Sequence, residues 1–167
     1  MVESILFFFL AGCAIASAVL MVLQRNPLVS AIYLIGNFFC IAALYLLMEA
    51  QFLAVIQVVV YTGAIMVLVI FVIMLLNLGD EQRLSERYDV KKVIGLVVAL
   101  GFLLEMLYIF VKHGPESDGL SPRAGGIGVA EGIGDALFGR FLLPFEVTSL
   151  LLLAGIVGAV ILAKKRV

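Results

Sequence analysis

The stretch Phe52–Leu76 reads FLAVIQVVVYTGAIMVLVIFVIMLL, 25 residues without a charge. An α-helix crossing roughly 30 Å of hydrocarbon needs about 20 apolar residues. The stretch does not alternate polar with apolar residues, as a strand of a membrane β-barrel would. It therefore reads as a transmembrane helix, and the same reading extends outward along the chain. Ser4–Leu23 and Leu28–Met48 precede it, both charge-free. Val93–Val111 and Phe141–Ala163 follow, each with a single carboxylate, Glu105 and Glu146. The fold class is thus an all-α membrane protein of five transmembrane helices, spanning about 4–23, 28–48, 52–76, 93–111 and 141–163 in one domain.

Composition leads to the same class. The 167 residues are 64% hydrophobic and 14% charged, with a mean hydropathy of +1.22. A water-soluble domain is nearer half apolar and a quarter charged. The first run has no basic segment before it and no Ala-x-Ala-like cleavage site, so it reads as a span and not as a signal peptide. No nucleic-acid partner is expected.

Lys and Arg placement predicts the orientation. With the N-terminus outside, the inner segments hold eight basic residues and the outer ones only Lys112, Arg123 and Arg140. The positive-inside rule then favours N-out, C-in. Helices one to three are joined by minimal turns, Arg25-Asn26-Pro27 and Glu49-Ala50-Gln51, which predicts a tight antiparallel unit. Asn77–Lys92, with four acidic and four basic residues, reads as a solvated link. The 29 residues Lys112–Arg140 contain eight of the 16 glycines and two of the four prolines, which predicts a long irregular outer loop. Within it, Ile133, Leu137 and Phe138 fall at helical spacing, so Val129–Phe138 is expected to form a short interfacial helix.

Few residues invite chemistry. Cys13 and Cys40 lie within apolar spans and read as small apolar side chains. His113 is the one histidine, and no Cys or His cluster is present to hold haem or iron–sulfur. Gly125-Gly126-Ile127-Gly128 lacks the strand–turn–helix setting of a nucleotide loop and reads as flexible loop. What remains is polarity at membrane depth. Glu105 sits about 4.5 Å from the middle of its span, and Glu146 lies nearer the outer interface. A charge at that depth costs about 2.5–3.5 kcal/mol on insertion scales, so each carboxyl is either neutral and hydrogen-bonded or functional. Tyr33 with Asn37, and Gln57 with Tyr61, are i,i+4 pairs expected to share a helix face and join helices. Gly12 with Ala16, and Ala14 with Ala18, predict a close helix contact on the first span. In helix three a straight α-helix is the default, and Tyr61-Thr62-Gly63 offers a site for a hinge or π-bulge.

The run from Gln57 through Tyr61, Gly63, Met66 and Met74 to Asn77 resembles the third helix of subunit J of the proton-pumping NADH:quinone oxidoreductase (respiratory complex I), the mitochondrial subunit-six family. Asn26-Pro27 with Ala31 and Tyr33-Leu34 resembles that family's second helix. Pro144-Phe145-Glu146 through Ser149, Ala154 and Gly158-Ala159 is similar to its last. Most of helix four and the Lys112–Glu131 loop match no motif. The resemblance implies a multi-pass subunit of a bacterial inner membrane, inactive alone, that binds no cofactor. FMN, iron–sulfur clusters and quinone are expected in partner subunits, the nearest being those resembling subunits A, H and K. It further implies a helix three that gates a water path, with Tyr61, Gly63 and Met66 as gate residues and Val67 as dry packing. Gln57, Glu146 and Glu105 are the polar candidates along such a path. Some family members carry a carboxylate where this chain has Gln57, and Glu105 falls outside the matched blocks. An accessory subunit of a related hydrogenase or multisubunit cation/proton antiporter is the alternative. A free-standing transporter would show inverted repeats, which the sequence lacks.

Overall fold

The structure is a computed structural model that describes residues 2–76, 90–112 and 128–164. Residues 77–89 of the expected solvated link Asn77–Lys92 and residues 113–127 of the expected outer loop Lys112–Arg140, with His113 and Arg123, lie outside the described residues, as do Lys165 and Arg166. Among the described residues every regular element is helical. We label them α1 (Val2–Leu23), α2 (Pro27–Leu47), α3 (Gln51–Leu75), α4 (Val90–Lys112), α5 (Ala130–Phe138) and α6 (Leu142–Ala163). All but α5 are long and apolar enough to cross a membrane, making five spans. The short helix anticipated around Val129–Phe138 is α5, with Val129 at its N-cap.

The chain enters α2 through a well-formed cap. Asn26 is extended and its side-chain oxygen accepts from the Leu28 N–H at 2.9 Å, while Pro27 occupies the first helical position. Two polar side chains then join α2 to α1. The Ser30 hydroxyl donates to the Met21 carbonyl at 2.8 Å, and the Asn37 amide donates to the Ala14 carbonyl at 2.6 Å. With no water in the hydrocarbon, such bonds substitute for hydration and align the two helices. Ala14 and Ala18 are half-buried on α1, whereas Gly12 and Ala16 are exposed, and a side chain added at Gly12 would meet nothing. Of the two small-residue pairs, then, only the second lies toward α2.

The buried side chains line the seam between α2 and α3. Ala31 and Ala42 come from α2; Ala54, Gln57, Thr62 and Met66 come from α3. Alanine at these points lets the two backbones approach closely, and dispersion replaces a hydrophobic drive that lipid cannot supply. Beside Ala42 and Ala54 the seam opens into an apolar groove of about 490 Å³, walled by Phe39, Leu46, Val55 and Val58 among others. The large apolar side chains of α4 and α6 are exposed along both helices. That is the surface expected of helices whose solvent is lipid or a neighbouring chain.

Candidate functional site

Helix α3 is not uniformly wound. Gln51–Ile56 is α-helical, Gln57–Ile65 is π-helical, and Met66–Leu75 is α-helical again. At the exit, the Met66 N–H reaches the Tyr61 carbonyl five residues back. A π segment carries i→i+5 bonds and holds an additional residue within the same helical rod.

The extra residue changes which side chains face α2. In an unbroken α-helix Gln57 would share its face with Tyr61. Here Gln57 (8% exposed) shares it with Thr62 (7%), and Met66 (3%) follows one turn later. Tyr61 is displaced outward and is 46% exposed. This corrects the expected Gln57–Tyr61 pairing; the winding moved the face by one residue. Tyr61 still touches α2, its ring lying 5.9 Å from that of Phe38 at 78°. Such a T-shaped pair suits the aromatic quadrupole.

Within the segment, the Thr62 hydroxyl donates to the Gln57 carbonyl at 3.1 Å. A Thr hydroxyl returned to the preceding turn weakens the ordinary ladder and bends it. Gly63 sits where a Cβ would stand 3.4 Å from the Val58 carbonyl oxygen, five residues back. That is the near limit of ordinary van der Waals contact. Thr62 and Gly63 therefore act together, one bonding the displaced backbone and the other giving it room.

The Gln57 carboxamide makes no hydrogen bond to any described residue, and its polar atoms are not sealed off. An unpaired amide at such burial costs about 1–3 kcal/mol unless water or another chain bonds it. The other predicted residues are dispersed. Val67 is 62% exposed and lies away from the seam. Glu105 on α4 and Glu146 on α6 are both exposed, and neither carboxylate has a hydrogen-bond or ion-pair partner among the described residues. Tyr61, Gly63, Met66 and Gln57 are thus brought together on one segment; Glu105 and Glu146 are not. No three His, Cys, Asp or Glu side chains converge among the described residues. Thr62, expected only as part of a hinge or π-bulge site, takes the place beside Gln57 that the i,i+4 spacing assigns to Tyr61. Its position next to Gly63 was the available signal.

Comparison with known proteins places this geometry in context. A family model described as NADH-ubiquinone/plastoquinone oxidoreductase chain 6 matches residues 17–162. The chain is 38% identical over 164 residues to NAD(P)H-quinone oxidoreductase chain 6 of Nostoc sp., a match covering 98% of this chain and 80% of that protein. It is 34% identical over 160 residues to NADH-quinone oxidoreductase subunit J of Pseudomonas aeruginosa, covering 92% of each. With the chloroplastic NAD(P)H-quinone oxidoreductase subunit 6 of Chlorokybus atmophyticus the identity is 35% over 180 residues, covering 98% and 84% respectively.

Proposed function

Because the chain belongs to the NADH-ubiquinone/plastoquinone oxidoreductase chain 6 family, we propose that it is a membrane-arm subunit that helps couple quinone reduction to proton translocation through α3. In this reading the subunit holds no cofactor and performs no redox step of its own. FMN, iron–sulfur clusters and quinone belong to its partners. Its neighbours are subunits resembling A, H and K, and it lies N-out, C-in across the inner membrane of a bacterium.

The observation that carries the reading is the π segment Gln57–Ile65 with Gln57 and Thr62 on its buried face. A π segment and an α-helix are discrete windings of the same residues, so the element has two states that a neighbour can bias. Passing between them exchanges Thr62 for Tyr61 beside Gln57, and so changes both the width and the polarity of that face. Gln57 can hold a water molecule in the hydrogen-bonded chain a proton needs, although it cannot relay charge by titrating. Tyr61, Gly63 and Met66 then set whether water reaches Gln57, with Val67 packing against a neighbouring subunit to keep the path dry. Glu146 and Glu105 are further polar contacts for that path once partners cover α4 and α6.

The test is Gly63→Leu in the assembled, membrane-reconstituted complex, with proton uptake and NADH:quinone reduction measured on the same vesicles. Normal assembly and quinone reduction with depressed pumping supports the gate. Unchanged pumping reduces α3 to packing. Mass spectrometry of the purified complex checks the partners, since flavin and iron–sulfur subunits must accompany the chain.

A further inference from the structure

The start of α3 is held by a distant part of the chain. Met48 is the C-cap of α2, and Glu49 takes the left-handed conformation with φ 59°. The Glu49 N–H bonds the Leu46 carbonyl at 3.1 Å, and the Ala50 N–H bonds the Tyr45 carbonyl at 2.9 Å. This is a Schellman ending with Glu where Gly is usual, at a cost of about 1–2 kcal/mol for the left-handed backbone. Ala50, at the N-cap of α3, has no side-chain acceptor for the first turn. The missing acceptor is the Gly128 carbonyl, to which the Phe52 N–H donates at 3.1 Å.

The fit around Gly128 is backbone against backbone. A Cβ there would collide with the Glu49 carbonyl oxygen and stand 3.1 Å from its carbon and 3.2 Å from the Ala50 Cα. Only glycine permits that approach. From Gly128 the chain passes directly into α5, whose last residue, Phe138, meets Phe145 of α6 edge-on at 5.1 Å and 65°. Residues 128–138 thus tie the beginning of α3 to the beginning of α6 at the same end of the molecule.

We propose that Gly128 is a positioning residue for the coupling element: seated on the α2–α3 turn, it anchors the N-terminal end of α3 so that a change of winding at Gln57–Ile65 becomes rotation and not slippage. The proposal rests on the coupling role of α3 stated above. Losing one residue from a π segment turns one end of the helix against the other by about 100°, the angle per α-helical residue. If both ends were free, that turn would dissipate at the nearer, shorter end, only six residues long. The Schellman turn and the Gly128 bond close that route.

The experiment uses the assembled complex in vesicles and reads protons moved per NADH oxidised. Gly128→Val is expected to keep quinone reduction and lower the ratio about twofold or more, and Gly128→Ala to lower it less. Joining Ala50→Cys to Val129→Cys by a disulfide, formed with an added oxidant, should leave the ratio at its wild-type value and restore it when combined with Gly128→Ala. An unchanged ratio in Gly128→Val overturns the proposal, as does loss of pumping on closing the cross-link, or failure of the cross-link to form. Should Gly128→Val not assemble, Gly128→Ala and the cross-link decide in the same way. Gly63→Leu is measured alongside. If it uncouples and Gly128→Val does not, the anchor fails and the coupling role stands; if neither uncouples, both fail.

Discussion

The hydroxyl of Thr62 donates to the main-chain carbonyl of Gln57, five residues back, at 3.1 Å, and both residues lie on the buried face of α3. The bond spans one π turn, a longer step than an α turn. It stabilises the winding that puts Thr62 there in place of Tyr61. Removing it without changing shape is therefore the mildest way to bias the helix. Thr62→Val should favour the α winding by about 0.5–1.5 kcal/mol, the usual net worth of such a bond. A structure of the variant complex is expected to show Tyr61 turned toward Gln57 in a larger share of particles. An undisturbed π segment would leave the hydroxyl without a role in the winding.

Gly63 biases the same equilibrium by another route. A Cβ at Gly63 would stand 3.4 Å from the Val58 carbonyl oxygen in the π winding, the near limit of ordinary contact, while alanine suits an α-helix interior better than glycine. Gly63→Ala should thus assemble normally and shift the balance modestly toward α. Proton translocation is expected to fall partway toward the level of Gly63→Leu, with quinone reduction nearly intact. Equal pumping by wild type and both variants would rule against a gate at this residue.

Gln57 separates stability from function. Its amide has no protein partner within the described residues and its polar atoms are not sealed off, so leucine removes a group that only water or another chain can satisfy. Gln57→Leu is expected to match or exceed the wild-type complex in thermal stability while translocating fewer protons. A variant that loses stability instead would indicate an amide bonded structurally to a neighbouring subunit.

Asn37 is expected to behave in the opposite manner. Its amide bond to the Ala14 carbonyl, at 2.6 Å, joins α1 to α2 on the side away from the π segment. Interhelical bonds of this kind contribute about 0.6 kcal/mol, and at most about 1.7. Asn37→Leu should reduce the yield of assembled complex modestly and leave the proton-to-electron ratio of what assembles unchanged. A changed ratio would make α1 part of the coupling path.

Glu49 tests the left-handed turn itself. Glu49→Gly relieves a left-handed strain of about 1–2 kcal/mol and keeps both Schellman bonds and the seat of Gly128. Amide hydrogen exchange at Ala50 and Phe52 should slow in the assembled complex, because the turn opens less often. Faster exchange would mean that the glutamate side chain supports the turn through a partner subunit.

How much of this was legible in the sequence depends on the length over which each feature is decided. Five apolar runs of about 20 residues admit one solvent, and in that solvent a backbone must satisfy itself, so the number and type of spans followed from the runs alone. Asn26-Pro27 announced the start of α2, and the spacing of Ile133, Leu137 and Phe138 announced α5, because caps and amphipathic faces are local. Tertiary structure decided that Thr62, and not Tyr61, stands with Gln57. A helix face is read by counting residues per turn, and a single inserted residue moves every later side chain around the axis. It also decided that Ala14 and Ala18, not Gly12 and Ala16, face α2. The glycine-rich loop was read as flexible, yet Gly128 is seated against Glu49 and Ala50; composition reports what a glycine permits, and only the returning chain determines which backbone comes close enough to require it.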